Sequence, residues 1–316
     1  MKKALVTVGL VAFLLFAGAL SSGALKFGGA SGPEAEGVTL TVTRDFGGVR
    51  VDSTTVGKVP PGETVMRLLQ REFEVETRYG GGFVQSIEGF SGDSTGGRRV
   101  DWFYYVNGIE APQGAASRDV AAGDVIQWDR HQWDAAQRVP AIVGAFPEPF
   151  LNGQKGKRLP LSLVCAGEER TCDEVATRLD DAGVEAGSRA GIGAGFGSGV
   201  LRIVVGPYDD IRRDPAVRQL EQGPGASGVF ARFRGGALEL LGPRGTVARR
   251  VTAGGGLVAA TRFQDQQPTW IVTGTDAAGV AGAASILRSE VLARRFAVAV
   301  ENGRAAPLPI ASEEAP

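Results

Sequence analysis

Polar and apolar positions change rhythm twice along the chain. Near the start, Val38–Arg44 and Val49–Thr55 alternate with period two on either side of Gly47-Gly48, which predicts two strands joined by a turn. Pro60-Pro61-Gly62 stops the second of them. Val65, Leu68, Leu69 and Phe73 then recur at the spacing of one helical face, and Phe83–Ile87 returns to a strand pattern. Trp102–Val106 and Val125–Trp128 are aromatic and β-branched, which favours strands. Asn107-Gly108 follows the first of these, and both residues tolerate positive φ, the signature of a two-residue hairpin turn. Gly123-Asp124 marks the turn before the second.

The second half carries three loosely repeated strand-then-helix units. Leu161–Val164 precedes a helical pattern over Cys172–Ala182. Leu201–Val205 precedes Asp214-Pro215, an N-cap followed by proline at the first helical position, and that helix is predicted to stop at Gly223-Pro224. Trp270–Val272 precedes Asp276 and a helix carrying Val280, Leu287 and Val291. Short strands are expected between the second and third units at Val229–Phe233, Leu238–Leu241, Thr246–Val251 and Val258–Phe263, with a last one at Phe296–Val300. The predicted fold class is α+β: a β-grasp-like N-terminal domain followed by a second α/β sandwich domain. The 316 residues are enough for two domains, and 47 glycines favour many turns over long helices.

Residues 1–25 read as a targeting segment. Lys2-Lys3 precede an almost wholly apolar run over residues 4–20, and small residues follow at Ala17-Gly18-Ala19 and Ser22-Gly23-Ala24. This is either a cleaved signal peptide or an uncleaved membrane anchor, because the run is close to the ~17–25 residues that span a bilayer. Both place the remainder outside the cytoplasm, secreted or held at the plasma membrane. Residues 26–37 are a Gly/Ser/Pro/Glu-rich linker, 38–135 the first domain, 136–160 a proline-punctuated second linker, 161–304 the second domain and 305–316 an acidic, disordered tail. A net charge of -1 gives no general pull toward nucleic acid.

Candidate chemistry is sparse. Cys165 and Cys172 are the only cysteines, and in an exported chain two so close together are expected to form a disulfide. They are not a Cys-x-x-Cys redox pair, and with one remote histidine they do not make a metal site. The glycine run Gly191–Gly199 lacks Gly-x-Gly-x-x-Gly spacing and precedes a strand, so it reads as a loop. Lys155-Gly156-Lys157-Arg158 lacks the phosphate-loop pattern, and Ser227 does not sit in a Gly-x-Ser-x-Gly elbow. No pattern points to an enzyme.

The remaining feature is the stretch from Asp101 to Trp133, which holds three of the four tryptophans, two of the four tyrosines and the lone histidine. Trp-Phe-Tyr-Tyr-Val-Asn-Gly, then Gly114, then Gly-Asp-x-Ile-x-Trp resembles the transcobalamin-type C-terminal β domain, relatives of which occur in bacterial surface proteins of unassigned function. Gly62–Leu69 and Ser86–Gly89 fit the same pattern, so the resemblance covers roughly residues 38–134. It implies a β-grasp-like fold and, as ligand, a corrinoid such as cobalamin; the residues themselves call for no cofactor. Because a strand sends neighbouring side chains to opposite faces, the aromatic rows cannot all share one face. One row is then exposed, or covered by the second domain. The candidate ligand-binding residues are Trp102, Tyr105, Asn107, Trp128, His131 and Trp133, with His131 and Trp133 placed just past the strand end. The predicted function is a cell-surface binding module for a small molecule. The alternative is an interaction module that docks another surface protein or a wall polymer through the same face.

Overall fold

The computed structural model describes residues 35–92, 99–194 and 198–311. The expected targeting segment and the last five residues lie outside that range. Mixed α/β structure in two domains is the observed class, as the sequence predicts.

In the first domain, β1 (Ala35–Arg44) and β2 (Val49–Val59) form an antiparallel hairpin. Then come α1 (Val65–Glu72), the short strands β3 (Val75–Arg78), β4 (Phe83–Ile87) and β5 (Phe90–Ser91), and β6 (Val100–Val106), β7 (Ile109–Glu110) and β8 (Val125–Gln132). The main sheet has order β2-β1-β8-β6-β7, with β8 parallel to β1 and antiparallel to β6. A hairpin, a helix and a returning central parallel strand make a β-grasp arrangement; β3, β4 and β5 form a separate antiparallel sheet. Alternation decides what each face buries. Val38, Leu40 and Val42 of β1 meet Ile126 and Trp128 of β8 and the α1 residues Val65, Met66, Leu68 and Leu69 in one core. Thr64 caps α1 by accepting from the Arg67 amide. The turn Asn107-Gly108 has φ of 54° and 73°, as its sequence requires, and joins β6 to β7.

The second domain comprises β9 (Leu161–Cys165), α2 (Glu169–Asp181), β10 (Ser188–Gly191), β11 (Leu201–Pro207), α3 (Tyr208–Ile211), α4 (Pro215–Arg218), α5 (Pro224–Ser227), β12 (Ala231–Arg234), β13 (Ala237–Leu241), β14 (Val247–Val251), β15 (Gly256–Thr261), β16 (Thr269–Gly274), α6 (Ala277–Ser285), α7 (Ser289–Leu292), β17 (Ala297–Glu301) and β18 (Arg304–Leu308). Its seven-stranded sheet runs β10-β9-β11-β16-β15-β17-β18, parallel through β16 and antiparallel beyond. The central strands are apolar on both sides because both faces are covered. Leu163, Ile203 and Val272 pack with Val175 and Leu179 of α2 and Val280 and Ala283 of α6. Val204, Ala259 and Ile271 face the three-stranded sheet β12-β13-β14 and also the first domain.

Two expectations are corrected, and one strand is added. Residues 136–160 are not a free linker: Val139, Ile142, Val143, Phe146 and Phe150 are buried, and the segment is packed into both cores of the second domain. Its prolines break secondary structure without exposing the chain. The tail read from residue 305 instead opens with β18, which pairs with β17 from Leu308↔Ala297 to Arg304↔Glu301. Pro307 fits because β18 is an edge strand, where a missing N–H costs no ladder bond. β10 was not predicted, since Ser188–Gly191 has no apolar alternation. The expected disulfide joins Cys165 and Cys172, with Cα atoms 6.2 Å apart, linking the end of β9 to α2.

Candidate functional site

The six residues expected to bind a ligand separate onto both sheet faces. Trp102 and Trp128 belong to the α1-side core, with 7% and 3% of their surface exposed. The Trp102 indole N–H donates to the Phe90 carbonyl at 3.0 Å. Trp128 stacks on Tyr104, its cross-strand neighbour, at 4.9 Å. The Tyr104 hydroxyl donates to the Gln113 carbonyl, and burial pushes its pKa up to about 12.

Tyr105 and His131 lie on the opposite face, against the second domain. Tyr105 is 1% exposed and meets Phe296 edge-on at 5.5 Å. Burial, reinforced by the Glu110 and Asp129 carboxylates, holds its phenol well above the ordinary value, and its hydroxyl has no partner among the described residues. His131 lies within β8 rather than past it. Its ring stacks against Phe46 at 4.6 Å and Phe103 at 4.4 Å, and meets Phe296 edge-on at 5.2 Å. Asn107 is also buried. It donates to Asp124 Oδ1 at 2.9 Å and the Gly153 carbonyl at 2.7 Å, and accepts from the Val125 amide, so it ties the turn to two loops. Trp133 alone is partly exposed, with the Arg99 guanidinium 4.1 Å over its ring. An open aromatic face is therefore the wrong picture: one row is the core of the first domain, and the other is the joint between the domains.

Asp129 organises that joint. Its carboxylate accepts from the Thr43 hydroxyl at 2.6 Å, the Phe46 amide at 3.0 Å and the Gly47 amide at 2.7 Å, and lies 2.8 Å from His131 Nδ1. A buried carboxylate needs such partners, and these four fix the β1–β2 turn. The turn in turn touches the second domain. Gly47 has φ +73°, and a Cβ there would fall 1.8 Å from the Arg294 carbonyl oxygen, so only glycine fits. Gln127 Nε2 donates to the same carbonyl at 3.0 Å.

Where the joint opens, it leaves a cleft of about 1490 Å³ with walls from both domains. The first domain contributes Arg44, Asp45, Phe46, Val49 and Arg130, so the cleft lies beside the ring that stacks on His131. The second contributes Arg244 and Arg249 at the β13–β14 hairpin, Arg295, and Glu301 through Ala311 along β18 and beyond. Six arginines thus face two carboxylates, in a chain whose overall charge is -1. Arg44 pairs with Asp45 at 3.0 Å and Arg249 with Glu301 at 2.9 Å. Arg130 donates to the Ser91 carbonyl and Arg295 to that of Gly47. Burial, then the neighbouring Arg294, lowers the pKa of Arg295, while burial raises that of Asp45 despite Arg44. Both shifts mark a site where charge is partly desolvated. Sequence reading missed this cleft. Its arginines are dispersed from Arg44 to Arg304, and the only local hint is their recurrence at turns. Among the described residues, no group of three or more His, Cys, Asp or Glu side chains could hold a metal ion.

Residues 62–132 match the model of a family described as Domain of unknown function (DUF4430). The match runs from the start of α1 through β8, and so covers the Asn107-Gly108 hairpin and the Asp129–His131 pair. No curated protein matches the chain. Among solved structures, the chain is similar to a proposed metal binding protein from Ruminococcus gnavus ATCC 29149, with 15% identity over 31% of this chain and 97% of that one, at a TM-score of 0.24.

Proposed function

We propose that the chain is an extracytoplasmic binding protein whose ligand enters the cleft between its two domains. The carrying observation is the cleft itself: about 1490 Å³, lined from both domains, beside their buried joint. Small-molecule sites favour such domain boundaries and are more often about 300–1,000 Å³, so the space suits a large or extended ligand. The Cys165–Cys172 disulfide is in keeping with an oxidising compartment, where such bonds persist. The apolar run at residues 4–20, outside the described residues, supplies the export signal or anchor.

The finer reading, a transcobalamin-type domain holding a corrinoid, rests on the resemblance around Trp102–Trp128. His131 is not the axial ligand in that reading, because its ring is enclosed by Phe46, Phe103 and Phe296 and its Nδ1 faces Asp129. A second reading, docking of another surface protein, is favoured by the β3–β4 tip, where Tyr79 is 86% exposed beside Phe83. Native mass spectrometry of the full chain against cobalamin and a small-molecule set tests the first reading. Binding should be lost in Val49→Trp, which puts a large ring into the cleft from an exposed strand. Binding that survives Val49→Trp, or no binding by any compound, would remove the cleft from the proposal. A reporter enzyme active only outside the cytoplasm, fused after Pro316, should be active; an inactive, well-expressed fusion contradicts export.

A further inference from the structure

We infer that the interdomain cleft is built for a multiply charged oxyanion ligand, bearing several phosphate or carboxylate groups, with Arg244 and Arg304 as its primary binding groups. The inference rests on the reading of the cleft as the ligand site. Its basis is how the six guanidiniums are already used. Arg44 and Arg249 each have a carboxylate within 3.0 Å. Arg130 and Arg295 donate to backbone carbonyls, neutral acceptors that offset no charge. Arg244 and Arg304 both line the cleft from its second-domain wall, at the β13–β14 turn and at the start of β18. Both are exposed, and among the described residues no ion pair or hydrogen bond holds either side chain.

Like charges lining one cleft repel one another, and an anion bound among them relieves that repulsion. Guanidinium suits this role better than ammonium: its planar fork meets a phosphate or carboxylate through two parallel N–H···O bonds, and it stays protonated. The burial that lowers the pKa of Arg295, with Arg294 beside it, points the same way, because an anion in the cleft would favour the charged form. Size excludes a single small ion as the full occupant, since the cleft is many times the volume of one phosphate. The lining also includes the apolar residues Val49, Ala306, Pro307 and Ile310, so the ligand has an apolar portion beside its charged groups.

The test is calorimetric titration of the full chain with tripolyphosphate and, separately, citrate, at low and at 0.5 M added salt. One saturable site is expected for at least one probe, with affinity falling steeply as salt rises, because contacts between solvent-facing charges are screened. The double variant Arg244→Gln/Arg304→Gln should weaken binding at least tenfold, since it removes two charge-assisted, bidentate contacts to the anion. Arg170→Gln, at a side chain 90% exposed on α2, should leave it unchanged. Preference between the two probes assigns phosphate or carboxylate. No binding of either probe, or binding equally weakened by Arg170→Gln, or unaffected by the double variant, overturns the inference. A neutral compound lost in Val49→Trp while neither anion binds would leave the cleft a ligand site and refute only its charge preference; failure of every compound would refute both.

Discussion

The joint and the cleft lie side by side, yet they are built by opposite means. In the joint, polar groups are few and buried, and all but the Tyr105 hydroxyl among those described above are engaged: Asp129 has four partners within 3.0 Å, and His131 is enclosed by three phenylalanine rings. In the cleft, polar groups are many, like-charged and only partly neutralised. Strand alternation produces the contrast within four residues of β8. Asp129 and His131 go to the joint, whereas Arg130 and Gln132 line the cleft. The aromatic stretch therefore marked the first domain's core and the joint between the domains, whereas the cleft proposed to receive a ligand carries little aromatic signal.

Substitutions can break this contrast. The largest effect is expected for Asp129→Ala. It leaves the Thr43 hydroxyl, two backbone amides and His131 without their acceptor in a buried site, and should cost about 3–5 kcal/mol by denaturant unfolding. A loss under 1 kcal/mol would mean that the joint is wetter than described. Removing the disulfide with Cys165→Ser/Cys172→Ser should cost about 2 kcal/mol, the low end expected for so short a loop. Tyr105→Phe runs the other way. Its buried hydroxyl is unpartnered, so deletion should be neutral or stabilising by about 1 kcal/mol; a clear loss would reveal a partner for that oxygen. Trp133→Ala should cost only ~0.5–1 kcal/mol, the scale of an exposed cation–π contact, as read by the shift in thermal midpoint.

Most elements of the fold were legible because each carried a local rule. The alternation of Val38, Leu40 and Val42 announced β1, the spacing of Val65, Leu68, Leu69 and Phe73 announced α1, and Asn107-Gly108 announced its turn. The failures share a cause as well. Arg304–Leu308 looks polar and proline-bearing, and becomes a strand only because β17 offers an edge to pair with. Val139–Phe150 reads as a linker by its prolines, and is buried because it packs into both cores of the second domain, one of which also takes in Phe46 and Tyr105 of the first domain. The alternation argument correctly split the aromatic rows but could not say which was covered, since that depends on Phe230 and Phe296, about 100 residues or more away in sequence. The cleft was least legible, because charge patterning along the chain carries no record of which arginines meet across a domain boundary.

Hydrogen exchange on the full chain, with and without saturating tripolyphosphate, separates the two regions most directly. Protection on binding should rise in the segments that line the cleft, residues 44–49, 243–249 and 301–311. The amides around Tyr105 and His131 should be slow already and change little. Protection gained instead at Tyr79–Phe83, or no change at any cleft segment while the anion is bound, would contradict the placement of the ligand between the domains.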